Sequence, residues 1–159
     1  MEIKPADLIL VKGTDWISKT IEDVEHSPYS HVAGMVKENV LIEALGFKRT
    51  GYQALDYYAG RADVFTCDEL TEEQRRLIIE YVKQEVGGHY DYLLLAWEFL
   101  RYVFNLLLPY KEGRTLRICS ALWADAFRSV GIGLCPGIKY PSPADVAESK
   151  FLRKVESLP

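Results

Sequence analysis

HVAGMVKENVLIEAL, residues 31–45, holds two apolar, β-prone runs on either side of a polar turn. The runs cover residues 31–36 and 40–45, and the three residues between them, Lys37-Glu38-Asn39, have the polar character of a turn. Two β-prone runs this close together predict a β-hairpin. We therefore expect at least one antiparallel pair of strands, with the rest of a sheet arranged around it.

The register of this hairpin decides whether His31 and Glu43 can meet. If residues 37–39 form a three-residue loop, residue 33 pairs with residue 43, and His31 and Glu43 become diagonal neighbours on one face. A two-residue loop would place them on opposite faces. Glu43 interrupts a strongly apolar run, and such a carboxylate costs free energy unless it is paired or lies on an exposed edge. His31 is either that partner or an ordinary residue at the start of a strand.

The flanking segments add both strands and helices. Thr71 and Gln74 form a capping-box pattern that opens a helix running to residues 87–88. Further strands are predicted at residues 7–12 and 62–66, and further helices at residues 14–25, in the apolar stretch after residue 88, around residue 119, and after the turn 140–145. This order predicts an α+β fold in which a small antiparallel sheet packs against helices. The length of 159 residues fits a single domain, residues 1–159.

RICSALW, residues 117–123, places Cys119 where an extended apolar run becomes a helix. Apolar residues follow at three-to-four spacing, and Gly131 supplies a helix stop. Cys119 therefore lies in the first turn, where the helix dipole and backbone N–H groups favour the thiolate, the form that attacks a carbonyl carbon. One of those N–H groups could also face a developing oxyanion. The alternative is a buried structural thiol, because cysteine is among the most buried residue types.

The other cysteines and the histidines indicate neither a metal site nor a disulfide framework. Cys67 lies at a predicted strand end and Cys135 in a loop rich in glycine and proline, and neither begins a helix. No Cys-x-x-Cys pair occurs, and the spacing to His26, His31 and His89 fits no zinc motif. We therefore expect no metal, no cofactor and reduced thiols.

Composition narrows the class of function further. Hydrophobic residues make up 48% of the chain, which suits an ordinary core. The net charge of −4 argues against a general nucleic-acid binder, which would carry a basic face. The polar N-terminus leads into a strand without a visible secretory signal, so the cytoplasm is the default compartment.

Several short motifs occur in the order found in one known family. They are an opening strand and helix at residues 7–11 and 16–18, the histidine segment SPYSHV at 27–32, IEA at 42–44, GHYD at 88–91, the cysteine segment at 117–123 and the closing segment PSPAD at 141–145. In this order they resemble the permuted papain-like amidases of the YiiX/YaeF type, relatives of the NlpC-type cell-wall peptidases. The resemblance spans nearly the whole chain.

This resemblance implies a circularly permuted papain-like fold and a cysteine amidase or peptidase-like hydrolase. Cys119 would attack an acyl carbonyl, His31 would take the thiol proton and pass it to the leaving group, and Glu43 would orient the imidazole. The substrate would be an amide or ester in a small molecule, a peptide, or a lipid-linked or cell-wall-derived compound. The substrate-binding candidates are Tyr29, Ser30, Tyr90 and Ser120.

Residues 92–108 are the least family-like part of the chain. On a helix, the polar residues of this region fall in one narrow stripe and leave a wide apolar surface. That surface suits a buried core helix, an acyl-chain groove, a helix lying on a membrane, or a homodimer contact. Two other functions therefore stay open: a lipid acyltransferase or thioesterase with the same triad, and a non-catalytic lipid-binding or membrane-associated module.

Overall fold

A computed structural model of the chain describes residues 2–13, 27–44, 50–86, 117–138 and 141–159. Within these ranges, six strands form one antiparallel sheet: β1 (Leu8–Lys12), β2 (Tyr29–Lys37), β3 (Val40–Glu43), β4 (Gly51–Ala54), β5 (Ala62–Thr66) and β6 (Arg153–Ser157). Their order across the sheet is β4-β3-β2-β1-β5-β6. The helices of the same ranges are α1 (Glu72–Gln84), α2 (Arg117–Ser129), α3 (Pro143–Ala147) and a 3-10 helix, Leu55–Tyr58. The predicted α+β class, with helices beside an antiparallel sheet, is confirmed.

The β2–β3 hairpin has the predicted register, but its loop is shorter than predicted and an irregularity in β2 compensates for the difference. Ala33 pairs with Glu43, as predicted. The loop has two residues rather than three, because Lys37 already pairs with Val40. An irregularity between Met35 and Lys37 takes up one residue and restores the register that a plain two-residue loop would have shifted. His31 and Glu43 therefore share a face of the sheet.

Local capping signals fix the starts of two helices. The Thr71 side chain accepts a hydrogen bond from the Gln74 backbone, and the Gln74 side chain accepts one in return, so the predicted capping box opens α1. A second capping box, formed by Ser142 and Asp145, opens α3 after the predicted turn. Gly131 follows α2 with a φ of 89°, a left-handed conformation that glycine adopts without strain.

Apolar clusters cover both faces of the sheet, because alternate residues of each strand point to opposite sides. On one side, the strands pack against α1 and α2 through a cluster that includes the fully buried Ile78, Trp123 and Phe127. On the other side, a smaller cluster includes Tyr58 of the 3-10 helix and Leu158 near the C-terminus.

The sequence predictions outside the described residues include the helix at 14–25, the GHYD motif at 88–91 with Tyr90, and the apolar segment 92–108. None of the helices in the described ranges combines the length and apolar character needed to cross a membrane.

Candidate active site

The imidazole of His31 lies against the carboxylate of Glu43. His31 is in β2 and Glu43 ends β3, and Nε2 of the histidine lies 2.8 Å from Oε2 of the glutamate. Strand β3 has β2 on one side and β4 on the other, and Glu43 is only 2% exposed. An exposed edge position therefore does not explain this carboxylate, and its pairing does.

Two further side chains donate hydrogen bonds to Glu43, and sequence reasoning missed both. The hydroxyl of Tyr58 lies 2.5 Å from Oε2, and the side chain of Gln53 also bonds to the carboxylate. Burial alone would raise the pKa of Glu43, but the bonds from His31, Tyr58 and Gln53 together lower it below the ordinary value. Glu43 is therefore ionised at neutral pH.

Cys119 contacts the same imidazole. It is the third residue of α2 and is 3% exposed. Its sulfur shares a hydrogen bond with the His31 side chain and accepts one from the backbone N–H of Val32. The hydroxyl of Ser120 lies 3.9 Å from the sulfur. Cys119 lies near the start of the described part of α2, and hydrogen bonds connect its thiol to the imidazole and the imidazole to the carboxylate.

His31 and Cys119 change each other's proton affinity. Burial alone would lower the pKa of His31, but the thiolate of Cys119 and the carboxylate of Glu43 raise that pKa to about 10. Burial alone would raise the pKa of Cys119, but the imidazolium of His31 and the Val32 N–H lower it below the ordinary thiol value. The electrostatics favour a thiolate–imidazolium pair at neutral pH.

The thiol pKa is raised, not lowered, at the other two cysteines. Cys67 and Cys135 are buried, unbridged thiols, as Cys119 is. Burial raises the pKa of Cys67, and burial with the nearby charge of Asp145 raises the pKa of Cys135 to about 11. They therefore serve as internal references for the reactivity of Cys119.

The helix that carries Cys119 is seated on β2 by a tryptophan. The Trp123 ring lies so close to Gly34 that a Cβ atom there would be 2.3 Å from its nearest ring atom. The indole Nε1 of Trp123 also donates to the carbonyl oxygen of Ile42, at 3.2 Å. Since Trp123 is four residues after Cys119, the two lie one turn apart on the same side of α2. Gly34 thus lets the helix approach the strands that hold His31 and Glu43.

Two of the described substrate-binding candidates adjoin His31 or Cys119 in sequence, and the third lies in the core. Ser30 and Ser120 are buried and adjoin His31 and Cys119 in sequence. Tyr29 turns into the core, where its ring packs edge-to-face on Phe65 and its hydroxyl donates to Asp63 at 2.6 Å.

No protein-family model matches the chain, and no curated protein matches it in sequence. Among solved structures, the chain is similar to the crystal structure of the metalloprotein yiiX from Escherichia coli O157:H7, assigned to DUF1105. The similarity covers 100% of both chains with a TM-score of 0.69 at 18% sequence identity. The two proteins therefore share a fold. In the part of this chain that the structure describes, no group of three or more His, Cys, Asp or Glu residues is arranged to hold a metal ion.

Proposed function

We propose that this protein is a cysteine hydrolase of amide or ester bonds, with a circularly permuted papain-like arrangement of Cys119, His31 and Glu43. The observation that carries the proposal is the series of hydrogen bonds from the Cys119 thiol to the His31 imidazole and from the imidazole to the buried carboxylate. The fold shared with yiiX supports it, because yiiX is of the family type that the motif order resembles. A lipid-linked acyl donor is a narrower form of the same proposal and rests on residues 92–108.

In the first half of the reaction, the thiolate of Cys119 attacks the acyl carbon of the substrate. The carbonyl oxygen gains negative charge at the N-terminal end of α2, where the helix dipole is positive. As the tetrahedral intermediate collapses, the bond to the leaving nitrogen or oxygen breaks and the His31 imidazolium donates its proton to that atom. A thioester on Cys119 and a neutral imidazole remain.

In the second half, water attacks the thioester. His31 takes a proton from the water as the new carbon–oxygen bond forms, the carbon–sulfur bond breaks, and the acid product leaves. The thiolate–imidazolium pair is then restored. Glu43 takes no proton in either half; it holds the imidazole in orientation and stabilises its positive charge.

Alkylation of the three cysteines with iodoacetamide, followed against pH and resolved by mass spectrometry, tests the pair directly. We expect Cys119 to stay reactive well below the ordinary thiol pKa of about 8.5, and at least about tenfold more reactive there than Cys67 or Cys135. In His31→Ala, the reactivity of Cys119 should fall to that of an ordinary buried thiol.

Circular dichroism of His31→Ala would establish that the variant is folded. If Cys119 in the wild type is no more reactive than the two reference cysteines, or if folded His31→Ala keeps the reactivity at low pH, the proposed nucleophile is wrong. A panel of amide and ester substrates, with Cys119→Ala as the inactive control, would then identify the acyl group.

A further inference from the structure

Tyr58 and His31 bind the same oxygen atom of Glu43. The Tyr58 hydroxyl lies 2.5 Å from Oε2, and His31 Nε2 lies 2.8 Å from that atom. Two donors on one oxygen draw on the same electron density. The strength of one hydrogen bond therefore depends on whether the other is present.

The surroundings of Tyr58 keep its hydroxyl protonated. Tyr58 is 5% exposed, and burial, followed by the hydrogen bond to Glu43 and the charge of Glu43, raises its pKa far above the ordinary value. The neighbouring Tyr57 also raises this pKa, whereas the Arg61 guanidinium, 5.1 Å from the Tyr58 ring centre, opposes the rise. A phenol in this environment donates a hydrogen bond to Glu43 and does not lose its proton.

The titratable and charged groups around the shared oxygen come from each neighbouring element. His31 approaches from β2 and Tyr58 from the 3-10 helix, and Cys119 of α2 interacts with the His31 imidazole. The Tyr58 ring centre is 5.9 Å from that of His31, so the phenol contacts the histidine as well as its carboxylate. The Arg61 guanidinium lies over the Tyr58 ring, and the uncharged Gln53 of β4 completes the set.

We propose that Tyr58 is a positioning residue that limits how tightly Glu43 holds the His31 imidazolium. The inference rests on the proposed function, because it matters only if His31 must release its proton to a leaving group. A carboxylate oxygen with a single donor would bind the imidazolium more strongly and make it a weaker acid. By occupying the same oxygen, the Tyr58 hydroxyl keeps the imidazolium acidic enough to donate.

The substitution Tyr58→Phe removes the hydroxyl and keeps the ring. We expect the titration midpoint of His31, measured by NMR with isotope-labelled histidine, to rise by about half a pH unit or more. The acid-side midpoint of Cys119 alkylation should fall by a similar amount, because the two groups titrate as a pair. Tyr57→Phe is the matched control: Tyr57 adjoins Tyr58 on the same 3-10 helix but is 56% exposed. It should leave both midpoints unchanged.

A structural role alone predicts a different result. If Tyr58 only fills space, both midpoints stay at their wild-type values, and if it only holds Glu43 in place, the His31 midpoint falls. Either result overturns the inference. Replacing Tyr58 with 3,5-difluorotyrosine, which preserves the shape and strengthens the donor, should lower the His31 midpoint. This variant provides the test if Tyr58→Phe does not fold.

The same measurements separate failure of this inference from failure of the proposed function. If Cys119 in the wild type is no more reactive than Cys67 and Cys135, both proposals are overturned. If Cys119 is reactive through His31 but Tyr58→Phe leaves the midpoints in place, only the inference about Tyr58 is wrong.

Discussion

Glu43 is the residue on which the charge state of the site depends. A buried carboxylate keeps its charge only when donors replace the lost water, and Glu43 has His31, Tyr58 and Gln53 in that role. Its pKa is lowered in the folded state, so its contribution to stability is present at neutral pH and is lost as the pH falls through that lowered pKa. The same charge raises the proton affinity of His31.

Replacing Glu43 with glutamine, which has nearly the same shape but no charge, should therefore change the titration of the pair. We expect the His31 pKa to fall by about one unit or more and the Cys119 pKa to rise with it, because the imidazolium loses its anionic partner. NMR titration of His31 and the pH dependence of Cys119 alkylation measure the two shifts.

The control for this prediction lies in the same hairpin. Glu38 is an exposed carboxylate in the β2–β3 turn, and Glu38→Gln removes the same unit of charge away from the site. Its effect on His31 should be small, since solvent screens exposed charges. A Glu43→Gln variant with the His31 pKa of the wild type would show that the carboxylate does not stabilise the imidazolium.

Three residues of the candidate site could be selected from local sequence patterns, and two could not. Cys119, His31 and Glu43 could be selected from the sequence because each breaks or begins a periodic run. Tyr58 and Gln53 carry no such mark. They reach Glu43 only because β4 pairs with β3, with Tyr52 opposite Ile42. The sequence of neither segment alone predicts that pairing.

The contact between α2 and β2 sets the position of Cys119 relative to His31. Gly34→Ala would put a Cβ within 2.3–2.5 Å of three atoms of the Trp123 ring, so the helix or the strand must move. We expect a loss of about 3 kcal/mol in the free energy of unfolding, toward the upper end for overpacking, because a rigid ring cannot yield easily. Urea unfolding measures the loss, and Cys119 alkylation at low pH should slow as α2 is displaced.

Gly133→Ala is the matched control for the same change in chain entropy and side-chain volume. A Cβ at Gly133 meets nothing within 4 Å, and its φ lies outside the left-handed region. Its unfolding free energy should stay close to that of the wild type. Equal destabilisation by the two substitutions would show that the close approach of Trp123 is not the reason why a larger residue at position 34 destabilises the fold.

Elements with strong local signals were predictable, and elements defined by their neighbours were not. The capping box at Thr71 and Gln74 marked the start of α1, and the apolar run of β5 was placed at its observed bounds. Strands β4 and β6 were missed. Both are short edge strands with exposed or half-exposed residues, so the ladder to one neighbour defines them rather than an apolar pattern.

At the scale of the whole molecule, one buried carboxylate joins four strands. Asp63 of β5 is 1% exposed and accepts from two hydroxyls, Tyr29 of β2 and Ser157 of β6, each at 2.6 Å. It also pairs with Lys12 of β1 at 3.1 Å and Lys154 of β6 at 2.9 Å. Sequence reasoning did not select Asp63, since its partners are brought together only by the strand order β2-β1-β5-β6.

We expect Asp63→Asn to lower the free energy of unfolding by about 2 kcal/mol at neutral pH. The value lies below that for a fully buried ion pair, because the two lysines keep contact with water. Burial raises the Asp63 pKa, but its four donors lower it well below the ordinary 3.8. Its stabilisation is therefore complete above about pH 4 and is lost as the pH falls through the folded-state value. The wild type should lose stability on acidification more steeply than Asp63→Asn.

Urea unfolding at neutral and acidic pH tests this linkage, with Asp68→Asn as the control. Asp68 pairs with Arg153 of β6, but both side chains are more than half exposed, so its removal should have little effect at either pH. Acid sensitivity that persists in Asp63→Asn is expected from Glu43, whose pKa is also lowered. If Asp63→Asn and the wild type lose stability in parallel on acidification, the junction of the four strands does not depend on the charge of Asp63. An asparagine would keep one carbonyl oxygen to accept from one of the two hydroxyls, and the other hydroxyl would accept from the amide N–H. These uncharged hydrogen bonds would then hold the strands together.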